Sequence, residues 1–83
     1  MKVEFTGVWV SSDLLEDKEL TLKEKIFLAG LKYLYTGREC TATNAEMSEF
    51  FNLSERTVSK IISSLDKKGY LIVSSENGKR VIY

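Results

Sequence analysis

Apolar residues recur at helical spacing through the middle of this 83-residue chain and alternate with polar ones towards both ends. Residues 2–10, KVEFTGVWV, are β-branched and aromatic and alternate loosely around Gly7, which predicts an extended arm or short strand. Residues 11–20 are polar except for Leu14, Leu15 and Leu20, with room for one short helical turn, so residues 1–20 read as an N-terminal arm. The first firm helix is predicted over residues 21–36. It opens on Thr21-x-x-Glu24, a capping box in which the Thr oxygen takes an orphan amide and the Glu reaches back to the cap amide. Leu22, Ile26, Ala29 and Tyr33 follow at helical spacing, and so do Phe27, Leu31 and Leu34. Apolar residues on more than one face predict a central helix or one that meets a partner. Gly37 suits its stop.

Residues 39–42, ECTA, predict a short strand. A second capping box, Thr43-x-x-Glu46, opens a helix with Met47, Phe50 and Phe51 inward, and Asn52 ends it, because Asn tolerates the left-handed conformation of a tight exit. Ser54 caps a third helix that runs to Lys68, with Gly69 as its stop. Only Asn52 and Leu53 separate the two helices, so they must cross, with Leu53 plugging the angle. Residues 70–83 form two β-rich runs around Asn77-Gly78, a strong hairpin signal whose two-residue loop sets Glu76 against Lys79 and Val73 against Ile82. The predicted fold is a single α+β domain: three helices and a small antiparallel sheet made from the 39–42 strand and the C-terminal hairpin.

On a helical wheel of the third helix, Val58, Ile61, Ile62 and Leu65 fall on one face. Arg56, Lys60, Ser63 and Lys67 fall opposite, flanked by Thr57 and Ser59. Cations meet phosphates, Arg can pair with guanine edges, and hydroxyls adapt to either. Arg56 lies in the first turn, where base contact is expected. Ser54 and Glu55 lie there too; Glu55 either complements the helix dipole or accepts from a cytosine amine. Thr43 and Asn44 stand at a helix start whose free amides favour phosphate. Lys79 and Arg80 follow the hairpin tip, within reach of backbone or minor groove. The expected DNA-binding set is therefore Thr43, Asn44, Ser54, Glu55, Arg56, Thr57, Ser59, Lys60, Ser63, Lys67, Lys79 and Arg80.

Composition alters this picture only in part. Twelve basic residues balance twelve acidic ones, so net charge does not announce a nucleic-acid binder. From Leu53 to Tyr83, however, six cations (Arg56, Lys60, Lys67, Lys68, Lys79, Arg80) face three anions (Glu55, Asp66, Glu76), a local excess of three positive charges. The lone Cys40 and the lack of histidine exclude the usual zinc sites and His-activated nucleophiles. Cys40 reads as a small buried side chain, Trp9 as a core or arm anchor, and Tyr33 and Tyr35 as core or dimer contacts. Asp13, Glu16, Asp17 and Glu19 lack calcium-loop spacing and read as a solvated acidic face. No catalytic convergence of titratable groups is visible, so neither an enzyme nor a cofactor is expected. Without a signal-peptide pattern or membrane-length apolar run, a cytoplasmic place is expected.

The run TNAEMSEFFNLSERTVSKIISSLDKKGYL resembles the helix-turn-helix of winged-helix proteins, in which a small residue, a tight turn and an S-x-x-T-V-S-like recognition helix recur. Ser48 stands where Ala is usual, and Asn52 where Gly is. The upstream run VWVSSDLLEDKELTLKEKIFLAGL is similar to the entry segment of winged-helix domains in plasmid and phage replication proteins, including replication initiators and DnaD-like replisome organisers. The resemblance implies a winged helix-turn-helix with residues 43–68 as the helix-turn-helix and 70–83 as the wing. It implies double-stranded DNA as partner, in replication initiation; transcriptional regulation, which uses the same chemistry of DNA contact, is a further possibility. Such domains often head longer proteins, which makes this chain a candidate N-terminal fragment. A homodimer through the arm and first helix is a further expectation. The alternative is a protein-interaction winged helix, favoured by the neutral net charge and the apolar first helix.

Overall fold

The computed structural model describes residues 11–83. The expected arm over residues 2–10, with Trp9, lies outside the described residues. Ser11 caps a short helix, α1 (Ser12–Glu16), by accepting the Leu14 amide. Its expected single turn is thus a real element and makes a fourth helix. Helix α2 (Leu22–Leu31) starts at the capping box: Thr21 Oγ1 accepts the Glu24 amide at 3.1 Å, and Glu24 Oε1 accepts the Thr21 amide at 2.9 Å.

The helix expected over 21–36 is shorter than that. The α-helical part ends at Leu31, a 3₁₀ turn covers Lys32–Leu34, and Tyr35 is already extended. Thr36 then bridges Glu39, and Gly37, at φ 67°, serves that turn instead of capping the helix. The strand expected over 39–42 is also corrected. Only Cys40 pairs with the hairpin, through two backbone hydrogen bonds with Ile82 of 2.8 and 2.9 Å. The sheet itself has two strands, β1 (Val73–Glu76) and β2 (Lys79–Ile82), antiparallel, in the expected register with Glu76 opposite Lys79 and Val73 opposite Ile82. Asn77 and Gly78 both have positive φ, the conformation that a two-residue hairpin loop requires.

Helices α3 (Asn44–Phe51) and α4 (Glu55–Lys67) pack side by side. The core joins Phe27 and Leu31 of α2, Met47 of α3, Val58, Ile61, Ile62 and Leu65 of α4, and Cys40, Leu71 and Ile82. Each such side chain withdrawn from water contributes about 1.5–3 kcal/mol before entropy is charged. Phe51 stacks on Phe27 with ring centroids 4.5 Å apart, and Phe50 meets Phe51 edge-on at 4.9 Å. Gly30 makes that approach possible, since a Cβ there would lie 2.5 Å from the Phe51 ring. On the other side of α2, Leu22 and Ile26 stay exposed at 64% and 46%. Of the two apolar sets along this helix, Phe27 and Leu31 are buried and Leu34 half-buried, whereas in the other Ala29 is buried and Leu22, Ile26 and Tyr33 are exposed. The result is an α+β winged helix-turn-helix, with four α-helices among the described residues and a C-terminal two-stranded wing.

Candidate nucleic-acid interface

The turn between α3 and α4 is fixed by more than its length. Asn52 sits at φ 55° and ψ 47°, and its amide and that of Leu53 both return to the Ser48 carbonyl. The Ser48 hydroxyl donates to the Leu53 carbonyl. Serine at this position thus ties the turn with a bond that alanine would lack. Leu53 is half-buried against the core, filling the angle between the helices.

This turn delivers Ser54 as the cap of α4. Ser54 Oγ accepts the Thr57 amide at 3.1 Å and donates to Thr57 Oγ1 at 2.9 Å. Ser54 and half-buried Thr57 are thereby engaged with each other, whereas Glu55 and Arg56 beside them are exposed. The inward face of α4 is the set Val58, Ile61, Ile62 and Leu65, all buried. Packing that face against α2 and α3 forces Arg56, Ser59, Lys60, Ser63 and Lys67 outward, and all five are exposed. Ser59, Lys60, Ser63 and Lys67, with Ser64 and Lys68, line an open groove of about 520 Å³. Among the described residues, no ion pair engages Arg56, Lys60, Lys67 or Lys79.

The remaining face of α4 is anchored by a residue whose wider role the sequence did not disclose. Glu24 is 5% exposed, although its capping box would suit a surface helix. Besides the Thr21 amide, its carboxylate accepts from Ser64 Oγ at 2.6 Å and from Lys68 Nζ at 2.8 Å. These donors hold its pKa down at about 2 against burial, which acts the other way. Lys68 also donates to the Glu19 carbonyl at 2.7 Å, and Tyr70 donates to Asp17. The end of α4 is thus stitched to the segment entering α2. Lys68, which counts among the C-terminal cations, is partly spent inside the protein. The only sequence signal for this clamp was the placement of Ser64 and Lys68 one helical turn apart.

The other expected residues gather at the wing. Thr43 and Asn44 at the start of α3, with Thr41, Ala42, Glu46, Lys79 and Arg80, line a cleft of about 540 Å³. Thr43 and Glu46 complete their capping box, at 2.9 and 3.1 Å. Lys79 is exposed. Arg80 is half-buried: Nη2 donates to the Ala42 carbonyl at 2.7 Å and Nη1 donates to Asn44 Oδ1. Arg80 and Asn44, both expected on DNA, are therefore brought onto each other. Glu76, opposite Lys79 in the hairpin, receives the Tyr83 hydroxyl.

Cys40 is fully buried, and burial pushes its thiol above the ordinary range, so it is not a poised nucleophile. Among the described residues, no cluster of carboxylate or cysteine side chains could hold a metal ion, and no helix is long and apolar enough to cross a membrane. Residues 18–71 match a family model described as a helix-turn-helix domain, about two thirds of the chain. No curated protein and no solved structure matches it. The match supports DNA binding in general.

Proposed function

The chain belongs to the helix-turn-helix domain family, and from that premise we propose that it binds duplex DNA with α4 in the major groove and the β1–β2 wing beside it. The observation that carries this reading is the outward stripe of α4. Its cations are exposed and free of ion pairs among the described residues, while the opposite face is buried. In this reading Arg56, in the first turn, reads base edges, with Glu55 and Ser59 near it. Lys60, Ser63 and Lys67 follow the phosphates, Lys79 contacts backbone from the wing, and Thr43 stands at a helix start suited to phosphate.

Fluorescence anisotropy with duplex DNA at low salt tests the proposal. The double substitution Arg56→Ala with Lys60→Ala should weaken binding by about tenfold or more. Affinity should fall with salt along a log–log slope of about −3, for the three phosphate-facing cations Lys60, Lys67 and Lys79 at roughly −0.9 each. Unchanged affinity in the double variant, or a flat salt profile, rejects α4 as the DNA surface.

The proposed setting is the cytoplasm, in plasmid- or phage-type replication initiation or in transcriptional regulation, acting as a homodimer through residues 1–20 and α2. Exposed Leu22 and Ile26 support the dimer, and light scattering measures it. The same two residues favour a second reading, a protein-interaction winged helix. A monomer with no affinity for duplex DNA at low salt would select that reading.

A further inference from the structure

We infer that Arg80 is a positioning residue, locking the wing onto the start of α3, and that Lys79 alone carries the wing's charge to DNA. The inference rests on the DNA-binding reading above for its second half only.

The backbone ladder between the 39–42 segment and β2 stops after one pair, Cys40 with Ile82. Two residues further along each strand, in the same antiparallel register, the next partners would be Ala42 and Arg80. No backbone pair forms there, because Thr43 is already the cap of α3. The Arg80 side chain supplies the missing link instead, donating to the Ala42 carbonyl at 2.7 Å and to the Asn44 side-chain oxygen. A planar guanidinium can hold two acceptors at a fixed spacing, and a lysine ammonium cannot reproduce that fork. The four-residue strand β2 is thereby held near both ends, by Ile82 on Cys40 and by Arg80 on Ala42 and Asn44. The wing tip, with exposed Lys79, gains a fixed place relative to α3 and, through the Asn52 turn, to α4. Arg80 is half-buried with one donor of each terminal nitrogen already engaged, which leaves Lys79 as the exposed cation of the wing.

Four single variants (Arg80→Lys, Arg80→Gln, Asn44→Ala and Lys79→Ala) and the double variant Arg80→Lys with Asn44→Ala test this. Far-UV circular dichroism and hydrogen exchange of the α4 core amides serve as fold controls. Without DNA, Arg80→Lys and Asn44→Ala should speed exchange of the β1–β2 ladder amides about tenfold while the α4 amides keep their protection. With DNA, Arg80→Lys, which keeps the charge and loses the fork, should bind about tenfold more weakly, the equivalent of one charged hydrogen bond. Asn44→Ala should lose a similar factor, and the double variant little more than either alone, as expected for one shared interaction. Arg80→Gln should leave the salt slope unchanged, whereas Lys79→Ala should reduce it by about 1. Wild-type hairpin exchange in Arg80→Lys overturns the lock. Wild-type affinity in Arg80→Lys, or a slope reduced by about 1 in Arg80→Gln, makes Arg80 a phosphate contact. Should the wild type bind no duplex at all, the DNA reading fails, and the hairpin exchange still decides the lock.

Discussion

Replacing Glu24 with Gln removes one charge while nearly preserving shape, and the consequences can be worked from its surroundings. The carboxylate is buried and receives the Thr21 amide, the Ser64 hydroxyl and the Lys68 ammonium. Its pKa falls from 4.5 to about 2. At about 1.4 kcal/mol per tenfold change in proton affinity, that corresponds to about 3 kcal/mol of stability at neutral pH. The Lys68 side chain is 33% exposed, so water screens its share, and about 2 kcal/mol is the working figure. The folded pKa lies below the unfolded one. The contribution is therefore complete above pH 4.5 and disappears as pH falls towards 2. Urea unfolding of wild type and Glu24→Gln, followed by circular dichroism from pH 7 to pH 2, isolates the effect, because every other carboxyl titrates in both proteins. The difference should be about 2 kcal/mol at pH 7, roughly 10 °C in Tm for a domain of this size, and close to zero near pH 2. A difference that is absent at pH 7, or that does not shrink below pH 4.5, refutes the clamp.

Two further substitutions probe the frame of the site. Gly30→Ala should destabilise by about 1–3 kcal/mol, since the added methyl meets the Phe51 ring, itself stacked on Phe27; thermal unfolding reads it, and a neutral result would mean that the rings can move aside. Asn52→Ala should cost about 1 kcal/mol for its left-handed backbone while Asn52→Gly does not, and equal stabilities in denaturant titration would remove the turn's conformational requirement.

The legible part of this molecule was the part whose physics is local. Thr21, Thr43 and Ser54 cap helices because they compete for amides two or three residues away, and that spacing is written in the chain. Asn52 and Asn77-Gly78 announce left-handed backbone for the same reason, and the hairpin register follows from the loop length. The outward stripe of α4 follows from its periodicity. The less legible part depends on partners far along the chain. Glu24 reads as an ordinary capping residue until Ser64 and Lys68, 40 and 44 residues away, close over it. Arg80 reads as a surface cation until Ala42 and Asn44 take its donors. The expected 39–42 strand shrinks to the single Cys40–Ile82 pair, because β-like composition does not reveal where a following helix cap ends the ladder. Likewise Gly37 suits a helix stop, yet the chain spends it on the Thr36–Glu39 turn after the 3₁₀ segment.

The Cys40–Ile82 pair also has a kinetic meaning. It closes a loop of about forty residues that contains all of α3 and α4, so its entropy cost is recovered only once those helices already hold the ends close together. The Asn52 turn, in contrast, brings its two helices together across a few residues. Folding should therefore begin at the α3–α4 corner and finish with the wing, and the same order reversed makes the wing come away before the α3–α4 pair under mild denaturant.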